Sequence, residues 1–411
     1  MRALATRART APALITARAP ALITARALAT AAAAAAAVAG CGAATAPGPA
    51  PGPAAATAGD DSPAWRVRGP GGMQPIEPGL PASAGALLDA LLDARGCASC
   101  HAAIVDEWSR SRHALAWTND IFQTEYTVKP QPWCANCHAP LTTQQSDLRG
   151  PRAAQGVDCA ACHVRAGKLV ARARRAGSPH ETIGDPTFGS PAFCADCHQF
   201  TFPVLSPEGA ALRMTAHPMQ TTVASFQAGP YARARAGCLS CHGSRDGHAF
   251  AGAYDSAMLE RALEVAWCRE PRAAAAAAAT ADQALRVTVR NAAAGHSVPT
   301  GDVHRHVDLR LWRSSAPEAL YQASFGRRFE IDEDGGKTTS WDSTLPPGAS
   351  QTVRVELARL GGEPAEPVSL ELAYVYVGDE YPILRLPADV PTEASIVLRR
   401  AAVGELPTCD R

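Results

Sequence analysis

The sequence predicts a multidomain chain in which a mainly α, loop-rich region precedes an all-β, Ig-like sandwich. Between Cys97 and His242 the pattern Cys-x-x-Cys-His occurs five times, with Pro- and Gly-punctuated stretches between the copies. From Leu285 onward apolar residues instead alternate with a period of two, the signature of half-buried strands. An all-alanine run, Ala273–Ala279, separates the two regimes. The expected organisation is a leader at residues 1–40, a tether at 41–82, the motif-bearing region at 83–272, a linker at 273–280, the sandwich at 281–402 and a tail at 403–411.

The leader is Ala-rich and carries five Arg (Arg2, Arg7, Arg9, Arg18, Arg26) and no acid before an apolar run from Ala27 to Gly40. That run is too short to span a bilayer and reads as a signal-peptide core. It ends in Val38-Ala39-Gly40-Cys41, which resembles a bacterial lipoprotein cleavage box with Cys41 as the lipidated residue. An ordinary signal peptide with a stray Cys is the alternative. The octapeptide APALITAR at 11–18 and 19–26 belongs to this leader and not to the fold. The tether is rich in Ala, Pro and Gly, a composition that cannot bury a core. Removing the leader's five Arg leaves 34 basic against 39 acidic residues, so no basic excess points to nucleic acid.

Each Cys-x-x-Cys-His copy reads as a c-type haem attachment site. The first copy is Cys97, Cys100 and His101, the second Cys134, Cys137 and His138, and the third Cys159, Cys162 and His163. The fourth is Cys194, Cys197 and His198, and the fifth Cys238, Cys241 and His242. Two thiols one helical turn apart form thioethers on one side of a porphyrin, and the adjacent imidazole is the proximal iron ligand. Five copies call for five covalently bound haem c groups. Spacings of 37, 25, 35 and 44 residues between first cysteines leave so little polypeptide per cofactor that the haems form most of the core.

The helical elements expected around the motifs are one from Ser83 through Leu92 stopped by Gly96, one from Ile104 to Trp117, and one capped by Asp255 running to Trp267. Seven His remain beyond the proximal five: His113, His180, His217, His248, His296, His304 and His306. The candidate distal ligands are His113, His180, His217, His248 and His296. His217 competes with Met214 and Met219, and His304 or His306 could replace His296. Ten of thirteen Cys serve haem and Cys41 takes lipid, which leaves Cys268 and Cys409 for a disulfide or as two buried thiols.

The segment Cys97–His101 followed by Glu107-Trp108-Ser109-Arg110-Ser111-Arg112-His113-Ala114 resembles the opening of multihaem cytochromes of the cytochrome c-554 type. The resemblance implies that His113, in the Trp-x-x-Ser-x-His segment, is a distal haem ligand. Phe193–Phe200 and Met219–Thr222 are similar to segments of periplasmic multihaem cytochromes. Ser225–Tyr231 partly echoes the Trp-Ser-His-Ala pattern, with Tyr231 where a His would sit. The likeness spans roughly Gly96 to Ala266 and speaks to haem chemistry more than to substrate.

In the second region five apolar sets alternate: Leu285, Val287 and Val289, then Val307, Leu309 and Leu311, then Val353, Val355 and Leu357. Val368, Leu370, Leu372 and Tyr374 continue the pattern, followed by Ile396 and Leu398. Turn residues between them argue for an Ig-like sandwich, with a small barrel as the alternative. The loop Asn291-Ala-Ala-Ala-Gly295-His296-Ser-Val-Pro299-Thr300-Gly301 resembles the Gly-His-x-x-Pro-Thr-Gly loop of β-domains appended to some multihaem cytochromes. That resemblance implies that His296 reaches a haem from outside the motif region.

The expected function is single-electron transfer between redox proteins or quinone-linked membrane donors, on the periplasmic or outer face of a bacterial membrane, with a lipid anchor. The alternative is a multihaem oxidoreductase acting on a small nitrogen or sulfur compound at one open haem. The surplus of His and the absence of a Cys-x-x-Cys-Lys variant argue against that alternative.

Overall fold

The computed structural model describes residues 75–79, 92–174, 180–207, 211–234, 236–243, 247–270, 283–333, 335–378 and 385–410. The leader, Cys41, most of the tether, the Ser83 end of the first expected helix and the alanine linker lie outside the described residues.

The motif region is built of short helices. Helix α1 (Ala94–Ser109) begins at Asp93, whose carboxylate accepts from the Arg95 amide and caps it. Gly96 was expected to end a helix but lies in the first turn of this one. The break falls instead at His101, whose φ of −113° and ψ of 39° divide α1 into a motif-bearing turn and a second run. The helix expected to reach Trp117 therefore stops at Ser109. Helix α2 (Asp120–Val128) follows, capped by Asn119. The tether is not featureless throughout. Ile76 is buried among Leu92, Leu141, Ala160, Ala161 and Val164, and its backbone pairs with Leu141.

Strands β1 (Val164–Arg165), β2 (Lys168–Ala171) and β3 (Thr182–Gly184) form a small sheet. Strands β4 (Gln199–Leu205) and β5 (Ala211–Thr221) form a hairpin that the loop-rich expectation missed. Pro203 and Pro218 and three register shifts interrupt its alternation, so period two is not legible there.

The sandwich has two sheets. One is ordered β11-β7-β6 and the other β10-β9-β8-β12-β13, with β6 (Leu263–Arg269), β7 (Ala284–Asn291), β8 (His306–Trp312), β9 (Tyr321–Ile331), β10 (Lys337–Asp342), β11 (Ser350–Glu356), β12 (Val368–Val375) and β13 (Glu393–Ala401). Two separate sheets make a sandwich and not a closed barrel. The Asp255-capped helix ends at Ala262, and Leu263, Val265 and Trp267 belong to β6, paired with β7. The β structure thus starts before the alanine run. Cys268 on β6 forms a disulfide with Cys409, Cα–Cα 5.0 Å.

The core between the sheets contains Leu285, Val287, Leu309, Leu311, Leu370 and Leu372, all fully buried. Truncating Leu309 to Ala removes a close-packed side chain and leaves a cavity, at a cost of about 2–5 kcal/mol. Urea unfolding followed by far-ultraviolet circular dichroism is expected to show the lower midpoint, and a wild-type midpoint would contradict this packing.

Candidate haem-binding centre

Each motif sits on a helical turn that ends or, in α1, breaks at its His: Cys97–His101 in α1, then Ala135–His138, Cys159–His163, Pro191–His198 and Leu239–His242. The local causes are visible. Asp158 caps the third turn by accepting from the Ala161 amide, and Ser190 caps the fourth with Pro191 at its first position. Three of these imidazoles direct Nδ1 at a backbone carbonyl: His138 at Ala116, His163 at Val170 and His242 at Ala251. A carbonyl only accepts, so Nδ1 carries the proton and Nε2 keeps its lone pair for a metal. Burial holds His138 and His163 below the ordinary imidazole pKa, and His198 down at about 4, where the ring is neutral and able to ligate.

The second cysteine of each motif, one turn after the first, differs in its surroundings. Cys100 is exposed, whereas Cys137, Cys162 and Cys197 are half-buried.

A second imidazole faces four of the five proximal rings. His101 faces His180 with ring centres 6.0 Å apart, and His163 faces His248 at 6.2 Å. His198 faces His113 at 6.2 Å, and His242 faces His296 at 5.9 Å. Two imidazoles on opposite faces of one iron, each with a metal–nitrogen bond of about 2 Å, place their ring centres about 6 Å apart. The residues therefore fit haem c with two axial imidazoles at these four positions.

The fifth ring, His138, differs. It stacks on Phe122, centroids 3.8 Å apart and nearly parallel, and no imidazole faces it among the described ring contacts. His217 stands exposed on β5, its amide donating to the Thr215 hydroxyl, away from every motif ring contact described. His304 is buried with Nε2 3.4 Å from Glu125 Oε1 and 3.9 Å from Asp302 Oδ1. Burial alone would lower its pKa, but those two carboxylates outweigh burial and raise it. His306 lies at the start of β8 beside Asp308.

The opposing rings are positioned from a distance. Trp108 Nε1 donates to the Val157 carbonyl, tying α1 to the segment before the third motif. Gly156, at φ +61°, passes so close that a Cβ would stand 2.5 Å from the His113 carbonyl oxygen. Burial brings His113 down to about 3. The His296 loop leaves the sandwich and docks on the helix Thr222–Ala228. Ser225 Oγ accepts from the Ser297 amide at 2.7 Å, and the Thr222 and Thr300 hydroxyls meet at 2.6 Å. Gly295 permits the approach, since a Cβ there would touch Phe226 at 3.2 Å. Asn291, fully buried, donates to the His296 and Leu345 carbonyls and holds the loop's base. The Ser225–Tyr231 segment thus serves as the seat of the His296 loop, a role that its sequence did not disclose.

The motifs also touch one another. The Cys97 and Cys159 thiols are in hydrogen-bond contact, as are Cys194 and Cys238. Phe250 lies 4.4 Å from the His113 ring and 6.1 Å from His248, between the third and fourth positions. After the third motif, Arg165 folds back onto the Ala161 and Val164 carbonyls, and Arg174 pairs with Glu181.

The family model described as cytochrome c554 and c-prime matches residues 96–164, which hold the first three motifs. Among solved structures the chain is similar to a penta-heme cytochrome c552 from Thermochromatium tepidum, with a TM-score of 0.55 and 19% sequence identity. That match covers 74% of this chain and 97% of the other, and it speaks to the fold. No curated protein matches.

Proposed function

We propose that this chain, a multihaem c-type cytochrome with an appended β-sandwich, binds five haem c groups and passes single electrons between redox partners. The observation that carries this reading is the set of four facing imidazole pairs at 5.9–6.2 Å. Haem supplies reversible one-electron chemistry when bound. The chain's own residues fix the attachment points, the axial imidazoles and the burial. Proximal His101, His163, His198 and His242 are paired with distal His180, His248, His113 and His296. The thiol contacts between motifs and the position of Phe250 support a connected series of centres. We place the protein outside the cytoplasm, on the periplasmic or outer face, anchored through Cys41, with redox proteins or quinone-linked membrane donors as partners. The Cys268–Cys409 disulfide supports an oxidising compartment. Among the described residues no helix is long and apolar enough to cross a membrane.

His138 favours a second reading, in which its haem keeps a sixth position open to a small nitrogen or sulfur compound. Electron paramagnetic resonance of the oxidised holoprotein, with haem quantified, separates the two. Four low-spin haems and one high-spin haem per chain are expected. If the high-spin signal responds to nitrite or hydroxylamine, the reading moves to an oxidoreductase. Fewer than four low-spin haems would sink the assigned pairs.

A further inference from the structure

We propose that Phe250 is a positioning residue that sets the ring plane of His113 and, from farther off, that of His248, two axial imidazoles serving different motifs. This rests on the paired-imidazole reading above and names what orients two of those rings.

The short segment from Gly247 to Ala251 touches three of the motif positions. The His248 ring faces His163 of the third motif. The Phe250 ring lies 4.4 Å from that of His113, which faces His198 of the fourth, with 55° between the Phe250 and His113 planes. It lies 6.1 Å from the His248 ring, at 78°. The Ala251 carbonyl accepts from His242 Nδ1 of the fifth motif. The segment is therefore pinned on both sides of Phe250. Gly247 enters it at φ +79°, and the His248 amide donates to Glu107 Oε2 at 3.0 Å. Between these anchors Phe250 takes φ +47°, a left-handed conformation uncommon for a bulky residue. Such a conformation persists only where the surroundings over-determine it. It delivers the ring against Ala94, Trp108 and Ala114, beside His113.

An axial imidazole can turn about its metal–nitrogen bond, so ligation alone leaves the plane of the ring open and neighbouring groups must set it. Three proximal rings are set by Nδ1 contacts with carbonyls, and the His296 ring meets the Ser297 carbonyl in the same way. Among the described hydrogen bonds none reaches the His113 ring. Its described ring contacts are with His198, at 44° between the planes, and with Phe250. Phe250 is therefore the group that keeps the His113 plane twisted from that of His198. The His163–His248 pair is twisted by 24°, with Phe250 on its flank at the greater distance. The g values of a low-spin iron follow the angle between its two axial planes, so this orientation is observable apart from stability.

The test is electron paramagnetic resonance of oxidised holoprotein carrying Phe250→Leu, Phe250→Ala or Phe250→Tyr. The fourth-motif signal is identified as the low-spin signal lost in His113→Ala, and the third-motif signal as the one lost in His248→Ala. Leu fills the space but offers no flat ring to the imidazole. In Phe250→Leu and Phe250→Ala the largest g value of the fourth-motif signal is expected to be displaced and its line broadened. A smaller displacement is expected at the third motif, and wild-type values at the His101–His180 pair. Phe250→Tyr, which keeps the ring, is expected to give the wild-type spectrum. Wild-type g values in Phe250→Leu would show that Phe250 only fills space, and would overturn the proposal. An equal displacement at the His101–His180 pair, which reports general loosening, overturns it as well, as does a Phe250→Tyr signal displaced as far as that of Phe250→Leu. If Phe250→Ala fails to assemble with full haem, Phe250→Leu decides the matter alone. If His113→Ala removes no low-spin signal, the paired-imidazole reading fails instead.

Discussion

Replacing His296 with Ala is expected to convert one low-spin haem per chain to a high-spin species. Its ring faces His242 at 5.9 Å, nearly parallel, and no other imidazole is described against that face. The loop itself should remain seated, because Ser225, Thr222 and Asn291 hold it through bonds that do not involve the His296 ring. Near-infrared magnetic circular dichroism or electron paramagnetic resonance reads the change of spin state. His217→Ala is the matched control and is expected to leave every haem as it was, since His217 projects from the exposed hairpin. A His296→Ala protein that stays wholly low-spin would remove His296 from the coordination sphere.

Opening the Cys268–Cys409 bridge should produce the largest loss of stability without touching any haem attachment. The bridge closes a loop with a sequence separation of 141. In the chain-entropy account, releasing a loop of that length costs about 5 kcal/mol, an upper figure. Cys268→Ser combined with Cys409→Ser is expected to lower the denaturation midpoint sharply while the haem count per chain is unchanged. A midpoint equal to that of the wild type would show that the tail's remaining contacts suffice. Those contacts are substantial: Arg269 donates to the Pro407 and Leu406 carbonyls, and the Cys409 amide donates to Arg269.

The five attachment motifs were legible because their chemistry is confined to five consecutive residues. The contacts between motifs, Cys97 with Cys159 and Cys194 with Cys238, were not, since a motif gives the residue type and spacing but not what each thiol meets. Nor were the facing pairs legible as pairs. His101 meets His180 and His163 meets His248 across intervening loops, and His198 meets a ring from the opposite side of two other motifs; no local pattern encodes such partnerships. His296 stood out only through its unusual loop. Strand β6 was written in the sequence at Leu263, Val265 and Trp267, but its apolar residues continue those of the Asp255-capped helix, and helical spacing absorbed them. Ile76 was hidden by its Ala/Pro/Gly-rich surroundings, since one apolar residue gives no period to detect. His217 drew attention from its Met neighbours, yet the β4–β5 hairpin carries it away, with Phe202 packed on Phe329 and Arg327 bonded to the Pro218 and Met219 carbonyls.

Strand β6 is the outermost member of its sheet, so among the described residues one of its margins has no neighbouring strand. A bare margin of this kind is a template on which another molecule can add a strand. Here the segment around Thr408 occupies part of it, bridged to Arg269, while the Arg399 guanidinium takes up the Val265 carbonyl. That segment leaves less of the margin open to an added strand, and the Cys268–Cys409 bond beside it ties it in place.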